Sequence, residues 1–122
     1  METMRQVMIE GNHNSLQLNG FECVIKRNPL LLTLNGYVKI PDDIPDEVIE
    51  NLDCHGGITY DKRLGYNQEH WIGFDCAQIF DFKPGVDTVA DMRFKVYKDM
   101  RYVENELKKL TKQLKEIKNG SK

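Results

Sequence analysis

Val96, Met100, Val103, Leu107, Leu110, Leu114 and Ile117 recur at alternating gaps of four and three residues, with Lys and Glu filling the positions between. Neither Pro nor Gly intervenes before Gly120. That spacing predicts one helix over 96–118, about five to six turns long, with a heptad seam along one side. A helix docked on its own domain usually presents a wider apolar stripe. The narrow seam therefore predicts a partner helix from a second chain, with these seven residues forming the oligomer interface. Asp99 against Glu104 disfavours a parallel pair, whereas an antiparallel one brings Glu104 towards Lys118. An acidic start and a lysine-rich end also complement the dipole of a solitary helix.

Before the helix, the alternation of polar and apolar residues reads as strands. Arg5 to Glu10, Ser15 to Leu18 and Phe21 to Lys26 alternate, the last two across Asn19-Gly20, and Asn35-Gly36 interrupts the apolar run Leu30 to Ile40 like a second tight turn. Asp46 to Leu52 has helical character, with Asp46 as cap. Gly57 to Asp61 and His70 to Ala77 are further strands about a polar loop at Arg63 to Gln68, and Pro84-Gly85 marks a turn. The expected fold is α+β: an antiparallel β-core over 1–95 and a dimerising helix over 96–118.

At 122 residues the chain suits one core. A net charge of −2 gives no general attraction to a nucleic-acid polymer. No run approaches the roughly 18 to 20 apolar residues of a membrane span, so a soluble intracellular protein is expected. Cys23, Cys54 and Cys76 form no even set and no C-x-x-C pair, and they read as reduced thiols. Cys54, His55, His70 and Cys76 lack the spacing of recognised zinc motifs, so neither metal nor cofactor is expected.

The unusual residues concentrate in Cys54-His55-Gly56-Gly57-Ile58-Thr59-Tyr60 and His70-Trp71-Ile72-Gly73-Phe74-Asp75-Cys76. Trp71, Phe74, Phe80, Phe82, Tyr97 and Tyr102 lie near Lys83, Arg93, Lys95 and Arg101 in sequence. Aromatic planes stack on bases and arginine forks hold phosphates, a combination that suits a small nucleotide. Tyr102 and Asn105 lie off the seam at the start of the helix, where it must cross the sheet. The candidate ligand contacts are Trp71, Phe74, Phe82, Arg101, Tyr102 and Asn105, with His55 and Gly57 from the first segment. The plainer alternative assigns two or three of these aromatics to the core, Gly56-Gly57 to a turn and His55 to a hydrogen-bonded turn position. A hydrolase reading makes Cys76 the nucleophile, His55 or His70 the base and Asp75 its orienter. No nucleophile signature surrounds Cys76, and no pair of groups argues for acid–base work, so no catalytic residue is assigned.

Asn35-Gly36-Tyr37-Val38-Lys39-Ile40-Pro41, Cys54 to Tyr60, Trp71-Ile72-Gly73-Phe74-Asp75-Cys76-Ala77 and Tyr102-Val103-Glu104-Asn105-Glu106 resemble, in order and spacing, short proteins of phages that infect Gram-positive bacteria. That group looks like the first-described Thoeris anti-defence family, sponges for the cyclic ADP-ribose isomers that bacterial immune enzymes make. The resemblance spans roughly residues 31 to 107. It implies an antiparallel β-core, C-terminal helices that build a homodimer, and ligand pockets recessed at the dimer edge. It also implies sequestration of the signal without cleavage in the cytoplasm of the infected host. Some relatives assemble dimers into hexamers that hold cyclic oligonucleotides at separate sites. After Cys76-Ala77 this chain has Gln78 and Phe80 where the resemblance calls for histidine and glycine; Phe80 or Phe82 then offers a stacking face. Two other classes compete: the cysteine hydrolase, and an anti-CRISPR-like inhibitor that binds a host protein through the acidic loop Asp42 to Glu50.

Overall fold

Asn19 and Gly20 both adopt positive φ, 52° and 87°, the left-handed pair whose twist matches that of the flanking strands in a two-residue hairpin. They close β1 (His13–Leu18) onto β2 (Phe21–Arg27), with Leu18 opposite Phe21. The computed structural model describes residues 2–120, and within them β3 (Leu34–Ile40), β4 (Tyr60–Leu64) and β5 (Glu69–Asp75) complete one antiparallel sheet in the order β1-β2-β3-β5-β4. Three helices accompany it: α1 (Glu2–Glu10), α2 (Asp46–Glu50) and α3 (Met100–Gly120). The fold is α+β.

Period-two alternation divides the sheet into two faces. Phe21, Cys23, Ile25, Leu34, Val38, Ile40, Ile72 and Phe74 point to one side and are buried there with Val103, Leu107, Leu110 and Leu114 of α3. Those four α3 side chains have no exposed surface at all within the single chain. The seam is therefore covered by the chain's own sheet, which corrects the expectation of a partner helix. Thr111 supplies the physical reason. It too is fully buried, its hydroxyl donating to the Leu107 carbonyl at 2.7 Å while accepting from Asn19 Nδ2 at 3.1 Å. A count of apolar residues alone skips this position, and the stripe looks narrower than it is. Met100 and Ile117 are only partly buried at its margins. Val96 lies outside the helix and is exposed. The helix and the sheet form one core, so the division at residue 95 does not separate two bodies.

α3 begins four residues later than its seam suggested because two carboxylates hold its first turn. Asp99 Oδ1 accepts the Tyr102 N–H at 2.8 Å and Glu10 Oε2 accepts the Met100 N–H at 2.9 Å. Both satisfy otherwise orphaned donors at the positive end of the helix dipole.

Three local expectations are also overturned. Arg5 to Glu10 is helical, a short run whose alternation does not distinguish the two periods. Asn35-Gly36 lies inside β3, paired with β2 and β5. Gly36 is there for close approach: a Cβ on it would sit 2.8 Å from the Phe74 ring and 3.2 Å from Val103, so it lets α3 settle on the sheet. Asp46 is the first residue of α2 and Pro45 its cap, with no side-chain capping bond. Because Leu110 is a core residue of the single chain, Leu110→Ala should cost about 2–5 kcal/mol, read as a fall in the midpoint of urea unfolding.

Candidate functional site

The face of the sheet opposite α3 carries a different set of residues, and strand register fixes their neighbours. Val24 lies across from Tyr37, Tyr37 from Gly73, and Gly73 from Tyr60. Gly73 is the gap in that row. A Cβ there would come within 2.7 Å of the Tyr37 ring, and its absence lets Tyr37 and Tyr60 meet edge to face at 5.0 Å between centroids. In the adjoining row Lys39 and Lys62 flank Trp71 from either side. Val24, Lys26, Tyr37, Tyr60, Leu64, Gly65, Glu69 and Trp71 line a groove of about 350 Å³, at the lower end of the size range for small-molecule sites.

The polar groups of this groove are unevenly committed. Lys39 reaches Glu69 at 3.4 Å and Glu22 at 3.6 Å, and the Trp71 indole N–H donates to Glu69 at 3.3 Å. Lys62 lies over the Tyr60 ring, 5.8 Å from its centroid. Asn35 donates to the Tyr37 hydroxyl at 3.1 Å. Three aromatic rings with Lys26 and Lys62 beside them can stack on planar groups and meet an anion.

Of the residues singled out from sequence, Trp71 belongs to this face. Phe74 is on the same strand but of opposite parity, buried in the core with Phe82, so neither offers a stacking surface. Both are corrections: Phe74 lies an odd number of residues from Trp71 on one strand and so faces the other side, and Phe82, beyond β5, is itself buried. Arg101 and Asn105 project to solvent from α3, away from the open face. Gly57 sits at positive φ, 78°, in the turn in which its N–H bonds the Cys54 carbonyl. Tyr37, Tyr60, Lys26 and Lys62 were missed. Tyr37 and Lys39 share the parity of an open-face strand, a signal hidden by reading Asn35-Gly36 as a turn.

His55 and Tyr102 do come together, at the edge of the helix-covered side. His55 Nδ1 is 2.7 Å from the Tyr102 hydroxyl and Nε2 is 2.7 Å from Asp81 Oδ2. Lys98 reaches the other Asp81 oxygen at 3.1 Å, and the Gln78 N–H donates to Asp81 at 2.9 Å. Burial pushes the Asp81 carboxyl up, but hydrogen bonds from His55, Gln78 and Lys98 outweigh it and leave it below the ordinary carboxylate range. Burial, with Glu106 and Cys76 nearby, raises the Tyr102 phenol, which stays protonated with its hydroxyl in hydrogen-bond contact with His55 Nδ1. His55 Nε2–H then donates to Asp81. The network ties the turn at 54–57 to the start of α3.

The cysteine-hydrolase arrangement has no geometric support. Cys76 is 1% exposed and burial pushes its thiol far above the ordinary range, whereas a nucleophilic thiol needs the opposite. His55 is engaged by Tyr102 and Asp81, and His70 by Asp61 at 2.6 Å. Asp75, the expected orienter, accepts from Thr59 and Gln78. Among the described residues no group of three or more His, Cys, Asp or Glu is arranged to hold a metal ion, and no helix is long and apolar enough to cross a membrane.

A depressed carboxyl contributes stability that is present above its unfolded pKa, near 3.9, and is lost as pH falls through the folded value. Asp81→Asn should therefore cost about 1.5–3 kcal/mol at pH 7, with the difference from the parent shrinking below about pH 4, as urea titrations across pH would record. No family model, curated protein or solved structure matches this chain.

Proposed function

We propose that the protein is a phage anti-defence sponge that binds an adenine-containing cyclic nucleotide, of the cyclic ADP-ribose isomer class, on the open face of its sheet and sequesters it without cleavage in the cytoplasm of the infected host. One observation carries this reading: Tyr37, Tyr60 and Trp71 stand together on an uncovered sheet face with Lys26 and Lys62 beside them. Three of the four segments behind the family resemblance contribute to it. Tyr37 and Lys39 come from Asn35–Pro41, Tyr60 from Cys54–Tyr60 and Trp71 from Trp71–Ala77.

The energetics set what the face must do. Base stacking contributes about 1–3 kcal/mol per contact, while even micromolar affinity requires about 8 kcal/mol. One adenine held between two rings gains only about 2–6 kcal/mol, which falls short. The lysines must add phosphate contacts, so binding should weaken as salt rises. A sponge also removes only one signal molecule per site, so it must be abundant and tight.

Two measurements test the reading. Trp71→Ala and Tyr60→Ala should each weaken calorimetric binding of a cyclic ADP-ribose isomer about tenfold or more, and Arg101→Ala should leave it unchanged. Stoichiometric protein should deplete the same ligand from solution and return it intact on heat denaturation, as chromatography would read. Linear ADP-ribose in excess of one equivalent per site would make the protein an enzyme. Failure to deplete any adenine nucleotide would overturn the proposal.

A further inference from the structure

Two tetrapeptides of this chain differ only in their last residue: Leu18-Asn19-Gly20-Phe21 and Leu34-Asn35-Gly36-Tyr37. Asparagine before glycine is prone to lose its side-chain amide, because the following backbone nitrogen can attack the side-chain carbonyl carbon and glycine has no Cβ to obstruct it. The local sequence gives both sites the same chemistry, and the fold treats them in opposite ways. Asn35 and Gly36 lie inside β3 with a strand on either side, Asn35 across from Lys26 and Asp75, Gly36 across from Ile25 and Phe74. The Asn35 amide donates to the Tyr37 hydroxyl at 3.1 Å, and Phe74 and Val103 close over Gly36. Before the Gly36 nitrogen can turn on Asn35, two ladders must open. Asn19 and Gly20 form the exposed tip of the β1–β2 hairpin. The Gly20 N–H meets no acceptor among the described residues, and a Cβ on Gly20 would meet nothing within 4 Å.

Only the side chain of Asn19 is held. Its Nδ2 donates to Thr111 Oγ1 at 3.1 Å and to the Lys108 carbonyl at 3.4 Å, the second of these bonds exposed to solvent. The two bonds latch the hairpin to α3, and they are all that the amide must release before it can turn back on Gly20. We propose that Asn19 is a site of spontaneous deamidation whose product releases this latch. The Gly20 nitrogen, its proton passed to hydroxide, bonds to Asn19 Cγ; the Cγ–Nδ2 bond breaks and ammonia departs with a proton from water, leaving a cyclic imide. A second water opens the ring at either carbonyl, giving aspartate when the original peptide bond is kept and isoaspartate when the chain runs through the former side chain. A carboxylate only accepts hydrogen bonds. It faces the Lys108 carbonyl and a Thr111 hydroxyl whose proton is already donated to the Leu107 carbonyl at 2.7 Å. Isoaspartate also lengthens the backbone of a two-residue turn whose register sets Leu18 opposite Phe21. Either product detaches the hairpin from the helix, and neither depends on the nucleotide reading.

The test ages the full chain in warm, mildly alkaline buffer, with a parallel sample unfolded in guanidinium. Proteolysis and peptide fragmentation by mass spectrometry then read the conversion of Asn19 and Asn35 separately. In the folded protein Asn19 should convert about tenfold or more faster than Asn35, because only the second must wait for the sheet to open; in guanidinium the two rates should converge. The aged protein and the variant Asn19→Asp should both unfold at lower urea concentration than the parent, with unchanged far-ultraviolet circular dichroism. Equal conversion of the two sites in the folded chain would overturn the proposal, as would an Asn19 that stays intact while its unfolded counterpart reacts. An aged protein, converted at Asn19, that unfolds at the parent's midpoint would overturn the role of the latch.

Discussion

The placement of α3 depends on one buried ion pair. Arg27, at the end of β2, and Glu10, at the end of α1, meet at 3.2 Å with almost no exposed side-chain surface on either. A buried guanidinium is tolerable only when its donors are used, and here they are: to the Gly11 and Leu32 carbonyls at 2.8 and 2.9 Å, to Glu10, and to the Tyr97 hydroxyl at 2.8 Å. Glu10 in turn accepts from Tyr97 at 2.6 Å and caps the Met100 N–H. Burial raises the Glu10 carboxyl, but the bonds from Tyr97, Gln6, Met100 and Arg27 bring it below the ordinary range, so it is ionised where the pair requires it. One carboxylate thus joins α1, β2, the 94–99 segment and the first turn of α3. Remove it, and the guanidinium stays buried without its counter-ion.

With α3 anchored at its N-terminus, the two faces of the sheet acquire different roles. The covered face consumes the apolar residues of even parity on β5, including Phe74, against the helix stripe. The other face is left with Tyr37, Tyr60, Trp71 and the lysines, a surface too polar to be core and too aromatic for ordinary solvent contact. Gly36 and Gly73 are neighbours across this arrangement and serve opposite faces. The first lets Phe74 and Val103 close on the covered side, and the second makes room for the Tyr37 ring on the open side.

Much of this was legible in the residues. Asn19-Gly20 announced its hairpin because only residues tolerant of positive φ fit that turn, and β5 and the long helix followed from their patterns, whereas β4 runs over Tyr60–Leu64, three residues later than the Gly57 to Asp61 expected. The errors came where a local pattern has two physical causes. Asn-Gly signals a tight turn, but glycine also marks close approach, and Gly36 is the second kind. A heptad seam signals a coiled coil, yet a buried, hydrogen-bonded Thr111 widens the same stripe into one that suits a sheet. The aromatic cluster was sought in sequence neighbours, whereas strands sort neighbours to opposite faces.

The sequence by itself determined the α+β class, the period of each long element and the composition of the two glycine-bearing segments, because these depend on dihedral preference and on which residues recur together. Only the tertiary structure decided what covers the α3 seam, which side of the sheet Trp71 shares with Tyr37 and Tyr60, and that Asp81 and Lys98 complete the His55–Tyr102 pair. Those outcomes depend on contacts between residues tens of positions apart, through register, parity and the buried Arg27–Glu10 pair. Apart from Tyr60 and Trp71, which share the β4–β5 hairpin, no local window of the chain contains both partners of any of them.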